Sequence, residues 1–146
     1  MNKTEEPIVV EATYHASAEQ VWNAITNKDE MKLWYFETIE NFKPEVGFKT
    51  KVDVLFENKH FLHEWNVTKV IENKLVKYDW KYPEFTGNSN VCWELFPLGN
   101  SVKLKLSHHG TESFPKDNPD FSRESFTGGW KYFIEESLKD YLGKVK

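Results

Sequence analysis

The chain has 146 residues, the length of one domain that can bury a core without disulfide or metal cross-links. Lys and Arg number 19 and Asp and Glu 23, so the net charge is −4, which excludes a function dominated by nucleic acid or an anionic membrane. A single cysteine excludes an internal disulfide. No apolar run reaches the ~18 residues of a membrane span. The N-terminal Lys3 is not followed by the apolar stretch that a signal peptide would have. We therefore expect a soluble, cytoplasmic protein that forms a single domain over residues 1–146.

The N-terminal quarter predicts one strand and two short helices. Residues 8–14 are rich in β-branched side chains, which is typical of a strand. The stretch Ser17-Ala18-Glu19-Gln20 is a capping box, which predicts that a helix begins there. After an interruption at residues 27–29, residues 30–34 predict a second short helix that packs through Met31 and Trp34.

Five segments in which apolar and polar residues alternate come next. Such a period of two, with one face apolar and the other charged, predicts an antiparallel sheet that is covered on one side only. With the first strand, the sheet would have about six or seven strands. Turn-forming residues separate the segments at 44–47, 57–59, 72–74, 83–90 and 98–100. The predicted inward residues are Phe48, Thr50, Val52, Val54 and Phe56; Phe61, His63, Trp65 and Val67; Val76, Tyr78, Trp80 and Tyr82; Val91, Trp93 and Leu95; Val102, Leu104, Leu106 and His108.

A C-terminal helix of about four turns is predicted to cover this sheet. Asn118-Pro119 favours a helix start, since Pro is tolerated at the first position, and Gly143 is placed to end it. The pair Gly128-Gly129 would let the helix bend or approach the sheet closely. The predicted fold class is therefore α+β. The apolar stripe of the helix is Phe126, Trp130, Phe133, Ile134, Leu138, Tyr141 and Leu142.

Short stretches spread over nearly the whole chain carry a resemblance to a known family. They are residues 18–26, Trp34-Tyr35-Phe36, residues 45–48, Tyr78-Asp79-Trp80, residues 91–95, residues 104–108, Gly129-Trp130 and Leu138-Lys139. The chain resembles the family named for the activator of the heat-shock protein 90 ATPase, in its homologue-like branch of the START-like (SRPBCC) superfamily, to which the birch-pollen allergens are related. The resemblance implies a helix-grip fold, in which a long C-terminal helix lies across a curved sheet. It also implies an apolar cavity between them that holds a lipid-like or polycyclic ligand.

The high aromatic content, 16% with six Trp, suggests side chains for such a cavity. Rings would supply apolar contact, while indole N–H groups and the polar atoms of His63, Tyr78 and His108 would orient a ligand. The alternative is that the same rings only fill the core. The candidate ligand-binding residues are Trp34, Phe36, His63, Trp65, Tyr78, Trp80, Trp93, His108, Phe126 and Trp130.

The sequence contains no catalytic signature that we recognise, and we expect no metal or cofactor. Residues 60–64 contain two His and one Glu, but residues 60 and 63 of a strand point to opposite faces. The carboxylates of Glu64, Asp79 and Glu94 are predicted to lie on the outward face. A Gly-x-Ser-x-Gly motif, a phosphate loop and a dinucleotide fingerprint are absent.

Three functions remain open on the sequence. The first is a module that binds a small hydrophobic or amphipathic ligand. The second is a co-chaperone or stress-related interaction module with a chaperone as its partner. The third is a cavity enzyme of cyclase- or hydrolase-like type with His63 or His108 as the base. No nucleic-acid partner is expected, and aromatic residues at a sheet edge would suit a homodimer contact.

Overall fold

A six-stranded antiparallel sheet forms the centre of the computed structural model, which describes residues 6–56 and 59–144. The strand order is β1-β6-β5-β4-β3-β2, so the first strand lies beside the last, and β1 and β2 form the edges. The turn predicted at residues 57 and 58 and the side chain of Phe56 lie outside the described residues. The strands are β1 (Ile8–Tyr14), β2 (Lys49–Phe56), β3 (Lys59–Ile71), β4 (Leu75–Lys81), β5 (Ser89–Pro97) and β6 (Val102–His109).

The predicted alternation of buried and outward side chains is confirmed along β3, β4 and β5 and along β6 as far as Leu106, whereas Ser107, predicted to point outward, is buried. On β4, for example, Val76, Tyr78 and Trp80 are buried, and the residues between them are half-buried. The edge strand β2 is covered less completely: Val52 is buried, whereas Thr50 and Val54 are only half-buried. The sheet therefore has one apolar face, and cover over that face thins toward β2.

Two short helices follow β1, as the sequence predicts. They are α1 (Ala18–Thr26) and α2 (Lys28–Trp34). The capping box is confirmed, because the Gln20 amide donates to Ser17 Oγ at 3.1 Å and the Ser17 amide donates to Gln20 Oε1 at 2.9 Å. The second helix begins two residues earlier than predicted, since Asn27 Oδ1 accepts hydrogen bonds from the first amides of α2.

A continuous helical segment at residues 123–144, here called the C-terminal helix, covers the apolar face. It consists of α3 (Arg123–Lys131), a wider π-helical turn (Tyr132–Ser137) and α4 (Leu138–Lys144). The predicted start at Asn118-Pro119 differs from the observed one. Pro119–Phe121 forms a separate 3₁₀ turn, and α3 begins after Ser122, whose Oγ accepts the Ser125 amide at 3.1 Å.

The π-helical turn follows from the spacing of the buried residues. An α-helix has 3.6 residues per turn, so a stripe that repeats every four residues drifts by about 160° between positions 126 and 142. A π turn holds more residues and brings the stripe back into line. Two side chains hold this turn: Tyr14 Oη donates to the Ile134 carbonyl at 2.5 Å, and Ser137 Oγ donates to the Trp34 carbonyl at 2.6 Å. The buried stripe is Phe126, Trp130, Ile134, Leu138 and Leu142.

Candidate ligand-binding cavity

A cavity of about 690 Å³ lies between α3 and the part of the sheet formed by β2, β3 and β4. Its walls are mainly aromatic. On the helix side the wall includes two glycines, and residues 36 and 120–121 also line it. The lining residues are Phe36, Val54, Phe61, His63, Trp80, Tyr82, Asp120, Phe121, Glu124, Ser125, Phe126, Gly128, Gly129, Trp130, Tyr132 and Phe133.

The two glycines of α3 help to keep this space open. A Cβ atom built on Gly128 or Gly129 would meet nothing within 4 Å. The prediction that the helix approaches the sheet closely at this pair is therefore wrong. Large side chains at these two positions would extend into the space. The cavity therefore depends on the absence of side chains at Gly128 and Gly129.

The candidate residues from the sequence divide between the cavity and the core beside it. Phe36, His63, Trp80, Phe126 and Trp130 line the cavity. Trp34, Trp65, Tyr78, Trp93 and His108 do not line it and are at most 3% exposed.

The polar atoms of the core set are mostly paired with protein atoms. The indole of Trp34 donates to the Ala24 carbonyl at 2.7 Å, and that of Trp93 donates to Tyr78 Oη at 3.2 Å. The Trp65 indole N–H is buried without a partner. These residues serve as the packed layer against which the cavity forms.

His108 belongs to a hydrogen-bond chain that joins the helix to the sheet. The Trp130 indole donates to His108 Nδ1 at 3.0 Å, so Nδ1 is unprotonated, and Nε2 lies 2.8 Å from Ser89 Oγ. Ser89 Oγ donates in turn to the Trp80 carbonyl at 2.6 Å. Burial, with a smaller contribution from His109 and His63, lowers the pKa of His108 to about 3. The imidazole is thus neutral and fully engaged within the protein.

His63, by contrast, lines the cavity with one ring nitrogen left as an acceptor. Its Nδ1 lies 2.8 Å from the Phe61 carbonyl, which only accepts, so Nδ1 carries the proton and Nε2 carries the lone pair. Burial lowers the pKa of His63 to about 4, although the backbone of Phe61 and Val52 and the charge of Asp53 act in the opposite direction. At neutral pH this side chain is a hydrogen-bond acceptor and a weak base.

Tyr82 supplies the second polar group of the wall. The Trp80 indole donates to Tyr82 Oη at 2.9 Å, so the phenol oxygen accepts from the protein and its own proton is available. Burial is the main cause that raises the pKa of Tyr82; the bond from Trp80 lowers it and the charge of Asp120 raises it further. The phenol is therefore protonated at neutral pH.

Sequence analysis did not select several of the lining residues. Tyr82 and Phe61 were placed on the inward face of their strands but were not separated from ordinary core residues. Phe121 was placed inside the predicted start of the helix, whereas the 3₁₀ turn directs it into a cluster with Tyr82 at a ring distance of 4.8 Å. Only an unusually aromatic turn before the helix, Phe114 to Phe121, could have indicated this end of the cavity.

A second cleft of similar volume, about 690 Å³, lies between the α1–α2 junction and the turn after β3. Its lining is polar and charged and includes Lys28, Asp29 and Glu72, so water satisfies it without a ligand. Among the residues that the structure describes, no three His, Cys, Asp or Glu side chains are grouped as a metal site would require. No described helix is long and apolar enough to cross a membrane.

The sheet, the covering helix and the cavity between them define a helix-grip protein of the START-like superfamily. Residues 15–143 match the family described as Activator of Hsp90 ATPase homolog 1-like protein, and the chain belongs to this family. The resemblance inferred from the sequence is thereby confirmed. Among curated proteins, no sequence matches the chain significantly.

Solved structures show the same fold over almost the whole chain. A protein of Mesorhizobium loti is 25% identical, with a TM-score of 0.75 over 96% of this chain and 98% of its own. The Aha1 dimer from Colwellia psychrerythraea is 22% identical, with a TM-score of 0.71 over 94% of this chain and 96% of that one. An HSP90 activator from Plasmodium falciparum is 19% identical, with a TM-score of 0.72 over 95% of this chain and 97% of that one.

Proposed function

We propose that this protein binds a small hydrophobic or amphipathic molecule in the cavity between α3 and the sheet. The observation that carries the proposal is an aromatic-lined space of about 690 Å³, which lies within the size range of small-molecule sites, ~300–1,000 Å³. Its floor contains few polar groups, and rings such as Trp80 and Trp130 lie 5.2 Å apart in an edge-on arrangement. A flat or polycyclic body would find ring contacts on several sides.

The decisive variant is Gly129→Leu, because it places a branched side chain in the cavity at a position where a Cβ atom meets no neighbour. Position 129 lines the cavity, and a Cβ there meets nothing within 4 Å. Glycine inside a helix is also less favourable than an ordinary residue by up to about 1 kcal/mol. We expect the variant to fold with equal or higher stability and to lose ligand binding.

Binding is measured by titrating ¹⁵N-labelled protein with fatty acids, sterols, flavonoids and polycyclic aromatics while recording the indole N–H signals. A ligand in the cavity should shift Trp80 and Trp130 and leave Trp34 and Trp22 nearly unchanged, since neither lines it. No saturable shift across the panel, or equal binding by the Gly129→Leu variant, would contradict the proposal.

Gly143→Ala is the matched control. Gly143 lies on α4, away from the cavity, and a Cβ there also meets nothing within 4 Å. This variant gains the same helical preference without touching the lining. It should bind ligand as the unmodified protein does, so a loss specific to position 129 reports on the cavity itself.

The second candidate is a role as a co-chaperone. It is favoured by the family to which the chain belongs and by the similarity to an HSP90 activator. The test is the ATPase rate of a heat-shock protein 90 chaperone with and without this protein. Stimulation that persists in the Gly129→Leu variant would assign the activity to a surface rather than to the cavity, and a flat response would exclude it.

A further inference from the structure

The polar lining of the cavity accepts hydrogen bonds more readily than it donates them. His63 presents a lone pair on Nε2, and Asp120 and Glu124 present carboxylates. The indole groups of Trp80 and Trp130, which are the natural donors in such a wall, already donate to Tyr82 Oη and His108 Nδ1. Among the side chains of the described lining, donor capacity remains in the hydroxyls of Tyr82, Ser125 and Tyr132, and a hydroxyl can also accept.

The charged lining is negative. Asp120 and Glu124 are its charged members, and among the described lining residues there is no Lys or Arg. The Asp120 side chain is only 14% exposed, and its carboxylate lies 3.3 Å from the ammonium of Lys59, a side chain that is 60% exposed. A negative group entering here would meet two carboxylates, and the ammonium of Lys59 is paired with one of them.

The two carboxylates lie toward one end of the cavity. Tyr82 lies beside them, since its ring is 4.8 Å from that of Phe121, which follows Asp120. The other end is formed by Phe36 and Phe133, whose rings lie 5.2 Å apart. His63 lies between the two ends, with its ring 4.7 Å from that of Tyr82 and 5.7 Å from that of Phe36. Along the C-terminal helix, Phe133 lies nine positions after Glu124, a rise of about 14 Å. The cavity thus has a polar, electronegative end and an aromatic end.

From this asymmetry we infer that the ligand carries, on an aromatic or polycyclic body, a polar end that donates hydrogen bonds and has no negative charge: a protonated amine or a hydroxyl. The inference rests on the proposed function and narrows it to a ligand class. The ring body occupies the Phe36–Phe133 end. The amine or hydroxyl donates to the carboxylates at the other end or to His63 Nε2 between the ends, with Tyr82 Oη as an additional partner.

A matched ligand series tests this directly, because only the polar end changes. The probes are 1-pyrenemethylamine, 1-pyrenemethanol and 1-pyrenecarboxylate, followed at pH 7.5 by pyrene fluorescence anisotropy. We expect the amine and the alcohol to bind and the carboxylate to bind at least about tenfold more weakly, the scale of one close charge contact at the protein surface. A carboxylate that binds as tightly as the amine overturns the inference while leaving the proposed cavity function intact.

Charge-neutralising variants identify the groups responsible. In the double variant Asp120→Asn, Glu124→Gln, the difference between amine and carboxylate should fall below about threefold, because Lys59 is also released to meet an anion. Asp140→Asn on the exposed side of α4 is the control and should leave the difference unchanged. An undiminished difference in the double variant overturns the assignment to these carboxylates.

Salt dependence gives a readout that does not depend on the folding of a variant. Raising the ionic strength from 20 to 500 mM should weaken binding of the amine and leave that of the alcohol nearly constant, because screening acts on charge pairs. Equal salt dependence for both probes counts against the inference. If none of the three probes binds, the inference fails, and the wider ligand panel decides whether the proposed function fails with it.

Discussion

Acidification should destabilise this fold through two buried histidines. His63 and His108 are 4% and 0% exposed, and burial lowers their pKa values to about 4 and about 3. In the unfolded chain both return to about 6.5. The unfolded state therefore binds more protons than the folded state wherever the pH lies below 6.5. The stabilising contribution is complete above pH 6.5 and is lost as the pH falls toward 4 for His63 and toward 3 for His108.

The size of the effect follows from these values. Each pH unit below 6.5 costs about 1.4 kcal/mol per neutral buried histidine, so each contributes a loss of about 2 kcal/mol at pH 5. Together they remove about 4 kcal/mol from the free energy of unfolding, a large part of the ~5–15 kcal/mol of an ordinary domain. The charged or titratable groups that act on their pKa values are Asp53 on His63, and His109 and His63 on His108.

Urea unfolding at pH 7.5 and at pH 5.0 measures this loss. The variant His108→Gln keeps an acceptor for Trp130 and a donor for Ser89 but does not titrate, so about half of the pH dependence should disappear. His15→Gln, at an exposed position, is the control and should show the same pH dependence of the free energy of unfolding as the unmodified protein. If His108→Gln shows the same dependence on pH as the unmodified protein, His108 is not held neutral by the fold and the reasoning fails.

Two further substitutions test single hydrogen bonds. Trp130→Phe leaves the buried Nδ1 of His108 without a donor and should lower the free energy of unfolding by about 1–3 kcal/mol, measured by urea unfolding; a loss below about 0.5 kcal/mol would contradict the bond. Tyr14→Phe removes the buried hydrogen bond to the Ile134 carbonyl and should cost a similar amount in thermal unfolding, whereas Tyr132→Phe, at a side chain that is 55% exposed, should be nearly neutral. Equal effects of the two tyrosine variants would show that the Tyr14 bond contributes nothing.

Most of the fold could be predicted from the sequence because its patterns are local. Side chains alternate across a strand, so the burial of Val76, Tyr78 and Trp80 follows from their parity alone. The capping box at Ser17 likewise involves atoms three residues apart. The start of α3 was misplaced because both Asn118 and Ser122 can cap a helix, and only the packing of Phe121 decides between them.

The cavity could be predicted only in part, for a physical reason. Parity tells whether a residue points inward, but it does not tell which inward residues meet the helix and which meet an open space. Trp80 and Trp93 have the same parity on neighbouring strands, and only Trp80 lines the cavity. The difference depends on where α3 crosses the sheet. This is a tertiary feature that a single sequence does not specify.

The π-helical turn at Tyr132–Ser137 has a consequence for changes in chain length. Such a turn accommodates one residue more than the α-helical path beside it, so removing one residue there leaves an ordinary α-helix. Deleting Glu136, whose side chain is exposed, would shorten the interval from Ile134 to Leu138 to three residues and keep both on the same face. Most helices lose their buried register when a residue is deleted from the middle. This one carries a position where a single-codon deletion leaves the hydrophobic stripe in line.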